Sequence, residues 1–295
     1  MALGALAPNA VVPKAIVPKP AGWTAALELG FAADGGATRL ARRAHRGPFV
    51  VQRPFFPEGR EVCHVYLLHP PGGLVGGDEL RLDLRVGPAA HTLVTTPAAG
   101  KAYRTTGPVA RQSHALAVDA GGTLEWLPQE TIVYDGASVE LDTRIDLGPG
   151  ARFFGAETLC FGLPARHEPF ARGSCRQTFD VRRDGAPVLI ERGRFEGGAP
   201  GQTAAWGLGG ATVLTLIVAA PAPEPVIVDH LRALAAETTD GDRAAVTVLG
   251  DGAALVVRHL GGGAERARAF AQTIWQSVRP ALLGRAASSP RIWAT

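Results

Sequence analysis

Two stretches of strict alternation constrain this chain more than anything else in it. In residues 79–86, Leu80, Leu82, Leu84 and Val86 alternate with Glu79, Arg81, Asp83 and Arg85. In residues 138–147, Val139, Leu141, Ile145 and Leu147, joined by Thr143, alternate with Glu140, Asp142, Arg144 and Asp146. A period of two sends each set to one face of a pleated strand, so both segments predict strands with one face buried and one in water. Shorter strands are expected at residues 62–68, 91–96, 123–127 and 152–159. Phe179-Asp180-Val181 and Val188-Leu189-Ile190 flank Asp184-Gly185, the signature of a hairpin. Gly35-Gly36, Gly72-Gly73, Gly76-Gly77, Gly121-Gly122 and Asp135-Gly136 mark further turns. Strands and turns in this rhythm predict a sandwich, a barrel or a solenoid of sheets. No fixed-period sequence repeat accompanies them.

The tail reads differently. Val226, Ile227, His230, Leu231 and Leu234 recur at helical spacing after Pro225, which predicts a helix over 226–237. Two strands are expected at 244–249 and 253–259, turned by Asp251-Gly252. A longer helix is expected over 264–283, where Ala267, Phe270, Ala271, Ile274 and Val278 share a face, with Pro280 kinking or ending it. The expected fold is therefore mostly β. It has a multi-stranded body of stacked sheets over 23–210 and a smaller C-terminal β-α-β-β-α region with two helices over 211–295. Residues 1–22 read as a disordered Pro/Ala-rich leader.

Composition excludes several classes. With 46% hydrophobic and 19% charged residues the chain can bury a core. A net charge of +3, spread without any basic block, does not point to nucleic acid. Cys63, Cys160 and Cys175 make no disulfide framework and no C-x-x-C pair. The leader lacks the apolar core of a signal peptide. The apolar run 204–220 is interrupted by Gly207, Gly209 and Gly210, so a buried strand is expected there rather than a membrane span. A cytoplasmic location with no membrane contact follows as the expectation. No Walker, dinucleotide, G-x-S-x-G or H-E-x-x-H motif is present, which removes the sharp enzyme readings.

The segment from Cys63 to Asp78 is the most unusual. A strand runs into a turn of two prolines and four glycines, closed by a carboxylate. Cys63, His64, His69 and Asp78 are ligands that a borderline ion accepts. The same residues also serve as core side chains, and Asp78 as a turn cap. Glu157 and Glu191 sit in apolar strand text, where a carboxylate is costly unless paired or hydrated. They point either to a neighbouring Arg or to a polar channel inside the β body. Glu125 and Glu130 read as surface carboxylates, with Trp126 a core anchor.

A set of colinear motifs goes further. These are Phe31-Ala32-Ala33-Asp34-Gly35, Arg39 to Arg43, Val51-Gln52-Arg53-Pro54-Phe55-Phe56-Pro57, the His69 to Asp78 run, Thr95 to Arg104 and Leu127-Pro128-Gln129-Glu130-Thr131. Together they resemble the UreD (UreH) family of urease accessory proteins, from about residue 25 to 210, with Trp206-Gly207-Leu208 near the end. The resemblance implies a non-enzymatic maturation chaperone for nickel insertion into apo-urease. Its partners would be UreF, the GTPase UreG and the urease apoprotein. No cofactor would be held permanently, and nickel would pass transiently through an internal polar tunnel. Asp78, Glu157 and Glu191 match acidic positions that line such a tunnel, with His64 and Cys63 as weaker ligands. Gly100 stands where many members carry Ser. The competing reading is a β-sandwich hydrolase or carbohydrate-binding protein, which would need a carboxylate pair in a cleft or an exposed aromatic platform.

Overall fold

The computed structural model describes residues 22–294, so the expected leader lies almost wholly outside the described residues. In chain order the strands are β1 (Thr24–Asp34), β2 (Ala37–Arg46), β3 (Val50–Val51), β4 (Val62–Leu68), β5 (Glu79–Val86) and β6 (His91–Thr95). Next come β7 (Gly100–Ala102), β8 (Ala110–Val118), β9 (Thr123–Leu127), β10 (Thr131–Val133), β11 (Ser138–Leu147) and β12 (Arg152–Phe161). The hairpin β13 (Ser174–Arg183) and β14 (Ala186–Glu196) and strand β15 (Val213–Ala220) follow. The chain closes with α1 (Pro225–Ala236), β16 (Arg243–Leu249), β17 (Ala254–Gly261) and α2 (Ala264–Leu283).

Two sheets stack. The first is seven-stranded in the order β14-β13-β11-β8-β5-β1-β2. The second runs β16-β17-β15-β12-β9-β6-β4-β3, with β10 and β7 pairing beside β12. From β4 to β13 the chain winds between the sheets, and each turn pairs parallel with the next. Leu80 partners Gln112, Gln112 partners Leu141, and Leu141 partners Gln177. These turns span 32, 29 and 36 residues, and that unevenness hides the winding from a search for a fixed sequence period.

The alternation is honoured strand by strand. Leu80, Leu82, Leu84 and Val86 are buried, as are Val139, Leu141, Ile145 and Leu147, while their charged neighbours face outward. That outer face carries ion pairs such as Arg85–Asp119 and Arg111–Glu140. The second sheet is covered on its outer side. Leu93, Phe154, Ile217, Leu255 and Val257 there pack with Val228 and Leu231 of α1 and with Ile274, Trp275 and Val278 of α2. Parallel strands clad on both faces are buried on both, and β9 is buried at every position, Glu125 included. Asp184 (φ 49°) and Gly185 (φ 80°) both take the left-handed conformation that a two-residue hairpin turn demands.

One expectation needs correction. Only the second half of the apolar run forms a strand, β15. The first half folds into tight turns, because a Cβ on Gly207 would lie 1.9 Å from the Gly201 carbonyl oxygen and Trp206 is left exposed. The longer helix has the expected bounds: α2 runs past Pro280 to Leu283 and closes on Gly284 in the left-handed conformation. Pro280 sits in the last turn, where its missing N–H removes a single bond.

Candidate functional site: a polar cavity between the sheets

The inter-sheet core is largely apolar, and its polar side chains gather around Glu157. On the first sheet Gln112 and His114 of β8, Thr143 of β11 and Gln177 of β13 point inward, and Glu157 of β12 meets them from the second sheet. Thr143 Oγ1 donates to Glu157 Oε1 at 2.5 Å and Gln177 Nε2 donates to Glu157 Oε2 at 3.2 Å. His114 Nδ1 lies 2.9 Å from Thr143 Oγ1, and Gln112 Nε2 lies 3.0 Å from His114 Nε2. The Thr143 hydroxyl spends its proton on Glu157, so it must accept from His114 Nδ1–H. His114 Nε2 is then bare and accepts from Gln112. Every donor in the chain points toward the Glu157 carboxylate.

Gln112, His114, Thr143 and Glu157 border a cavity of about 280 Å³, and Gln177 supports Glu157 from behind it. Burial raises the Glu157 pKa, against the pull of its bonds to Thr143 and Gln177. Burial also pushes His114 down to about 4, so the imidazole is neutral at pH 7. Trp126 flanks the site. Its indole N–H lies outside hydrogen-bonding geometry to any described group, yet close enough to Glu157 to oppose the rise. Glu157 is the one carboxylate in the cavity lining, and no group of three or more His, Cys, Asp or Glu comes together among the described residues.

The cavity exists because the second sheet is interrupted. Strand β12 pairs with β9 through Gly155 and with β10 from Leu159. Ala156, Glu157 and Thr158 have no ladder partner on that side, although on the other side they pair continuously with β15. Residues 128 and 129 between β9 and β10, and residues 96–99 between β6 and β7, drop out of the ladder at the same level. Pro97 and Pro128 have no N–H to contribute to it. The rim is completed by His69, Pro70, Gly72 and Gly73. Glycine is needed here, since a Cβ on Gly73 would lie 2.5 Å from the Tyr103 ring and one on Gly76 1.8 Å from Thr105 Oγ1. Three of the motifs that carried the resemblance thus converge on one opening.

A family model described as "UreD urease accessory protein" matches residues 24–294. The chain belongs to the UreD family of urease accessory proteins. It is 45% identical over 275 residues to the urease accessory protein UreD of Azoarcus sp. (strain BH72), covering 93% of this chain and 95% of that one. The UreD of Pseudomonas putida (strain W619) is 44% identical over the same shares, and that of Dechloromonas aromatica (strain RCB) is 41% identical over 92% and 95%. In this UreD-family chain no described helix is long and apolar enough to cross a membrane.

The residues singled out in the sequence are not gathered into one site. Glu157 lies in the cavity. Asp78 does not; it borders a smaller neighbouring cavity of about 220 Å³. Its carboxylate accepts from Trp23 N and Val75 N, both at 2.9 Å, and so ties the start of β1 to the Gly-rich turn. Glu191 lies further along the same inter-sheet row and pairs with Arg258 of β17, with Nη2 at 2.5 Å. The registers Thr143–Phe179–Glu191 and Glu157–Leu216–Arg258 place buried Phe179 and Leu216 between that pair and the Glu157 group. Cys63 and His64 point to opposite faces of β4. Cys63 is sealed in the inter-sheet core, where burial pushes its thiol up to about 12. His64 faces the other side, with Nε2 2.7 Å from Glu58 Oε1. His69 borders both cavities, and burial lowers its pKa although the Asp78 charge works against this.

Glu125 and Glu130 are not surface carboxylates. Glu125 is fully buried and meets Arg279 and Trp275 of α2 together with His91. Glu130 pairs with Arg268 of α2. Their partners on α2 lie 138 to 154 positions later in the chain, so nothing local announced them. The inward set Gln112, His114 and Gln177 was also missed. The one signal was Thr143, a polar residue on the apolar face of an otherwise regular strand.

Proposed function

We propose that this chain acts as a non-catalytic scaffold in nickel insertion into apo-urease, joined to UreF and, through it, to the GTPase UreG. It works in the cytoplasm, holds no permanent cofactor and passes nickel transiently through the inter-sheet cavity. The observation that carries this reading is Glu157, a single carboxylate set among neutral donors and acceptors at a gap in the sheet. A conduit must bind its ion weakly enough to release it. One carboxylate with hydroxyl, amide and neutral imidazole neighbours suits passage, whereas a cage of thiolates and imidazoles suits storage. The hydrolase reading lacks its second acid, since the cavity lining holds one carboxylate.

Asp78 and Glu191 have different weight. Both carboxylates are already engaged, one by backbone N–H groups and one by Arg258. They favour a positioning role over direct contact with the ion. The test is nickel content of urease after maturation with chains carrying Glu157→Ala, Asp78→Ala or Glu191→Ala, with complex assembly measured in parallel. The Glu157 variant is expected to assemble and to deliver little nickel. Full loading by all three variants, singly and combined, would leave a pure scaffold with no metal path.

A further inference from the structure

The gap in the second sheet opens on two sides. Beneath α2 lies a second, smaller cavity of about 40 Å³. Pro128, Gln129 and Thr158 border both it and the main cavity. Thr158 occupies the unladdered stretch of β12, and Pro128 and Gln129 occupy the segment that drops out of the ladder. The two spaces therefore lie on either side of the missing rungs, with only these three residues between them. On the far side the small cavity is bounded by Trp275 and Trp293, in edge-to-face contact at 5.7 Å, and by one ion pair. Arg268 Nη2 donates to Glu130 Oε1 at 2.7 Å and to Oε2 at 2.9 Å. Glu130 is 9% exposed, while the Arg268 side chain is 40% exposed. Arg268 Nε is buried and has no hydrogen-bond partner among the described residues.

We infer that the cavity has a second mouth, on the α2 face, and that the Glu130–Arg268 pair is its gate. The asymmetry of the pair supports this. Glu130 is held in the sheet by its own backbone, whose carbonyl accepts from Gly100 N at 2.8 Å. Arg268 sits on a long flexible stem at the helix surface, and its guanidinium is bound at one nitrogen only. The guanidinium end of the pair is 40% exposed, so it has a path into water that Glu130 lacks. The swing leaves a buried carboxylate facing the cavity. A divalent cation arriving from inside is drawn to that carboxylate and repels the guanidinium, so the cargo competes for the group that closes the door. The identity of the cargo rests on the nickel reading above; the mouth itself does not.

Two measurements separate these claims. The first needs no nickel. Ala156→Cys places a thiol in the small cavity alone. The native Cys63, Cys160 and Cys175 are buried, with thiols pushed up to about 12, and stay silent. The rate of its reaction with a small methanethiosulfonate reagent is expected to rise at least about fivefold when Arg268→Gln is added, because the closing contact is then absent. An unchanged rate overturns the gate.

The second measurement is nickel delivery by the assembled complex to apo-urease. Arg268→Gln removes the plug and its positive charge and is expected to speed delivery. Glu130→Gln leaves the guanidinium uncompensated in the outlet and is expected to slow it. A purely structural ion pair moves both variants in the same direction, and that result also overturns the gate. Faster thiol reaction with delivery insensitive to Arg268, Glu130 and Glu157 alike keeps the mouth and overturns the passage.

Discussion

Replacing Arg279 by methionine removes the arginine from a cluster that fastens α2 to the second sheet. Arg279 is fully buried. Its Nε donates to Glu125 Oε2 at 2.9 Å, its Nη2 to Glu125 and to both oxygens of Glu58, and its Nη1 to the Ala286 carbonyl. Breaking a buried pair by deleting one partner costs about 3–5 kcal/mol, because the other charge stays buried. The protonation of Glu125 gives a second measure. Burial alone would raise its pKa, but His91 and Arg279 together hold it down at about 2 against an ordinary 4.5. That difference is worth about 3 kcal/mol. His91 supplies part of it, so a loss near 3 kcal/mol is expected. For a chain of this length that is about 5 °C in Tm.

The pH dependence has a definite sign. A depressed carboxyl stabilises the fold above its unfolded pKa and loses that contribution as pH falls through the folded one. The gap between parent and Arg279→Met is therefore expected to be full at pH 7 and to shrink as the pH is lowered from 4.5 toward 2. Calorimetry and denaturant titration at several pH values measure it. A Tm loss under about 1 °C, or one that stays constant on acidification, would refute the reasoning.

The cavity groups make two further predictions. Glu157→Gln is expected to stabilise the protein by about 1 kcal/mol at pH 7, since it removes a buried charge and keeps a hydrogen-bonding side chain. A raised carboxyl pKa means the folded state holds its proton longer, so parental stability falls as pH rises through the acidic range, and urea titrations from pH 4 to 7 should show the advantage of the variant growing. His114 behaves oppositely. Its imidazole is held at about 4 against an ordinary 6.5, so the parent should lose about 2 kcal/mol between pH 7 and pH 5, and His114→Gln should abolish that slope in the same titration.

The strands were legible because alternation is local. Residues 79–86 and 138–147 state their own faces, and β5 and β11 occupy those bounds. The winding was not legible, since parallel partners lie about thirty residues apart with unequal spacers. The cavity was half legible. Glu157 stood out as a carboxylate in apolar text. Its neighbours Gln112, His114 and Gln177 come from other turns of the winding and become a group only when the sheets stack. Glu125 and Glu130 were misread for a related reason. A carboxylate beside a Pro-containing turn looks solvated until Arg279 and Arg268 arrive from the last helix. Asp78 read from sequence as either a ligand or a turn cap; its bond from Val75 N is of the capping kind, while the bond from Trp23 N, 55 positions away, had no local signal.

Passage of nickel through the inter-sheet cavity is tested most directly by blocking the cavity without touching its charge. Ala99 is half-buried on the rim, and Ala99→Trp places an indole across the opening. Nickel content of urease is measured after incubation of apo-urease with the assembled complex, parent or variant. The account predicts that the variant complex assembles normally and that nickel content falls to the level seen when this chain is omitted. Parental nickel loading by an intact Ala99→Trp complex would contradict it.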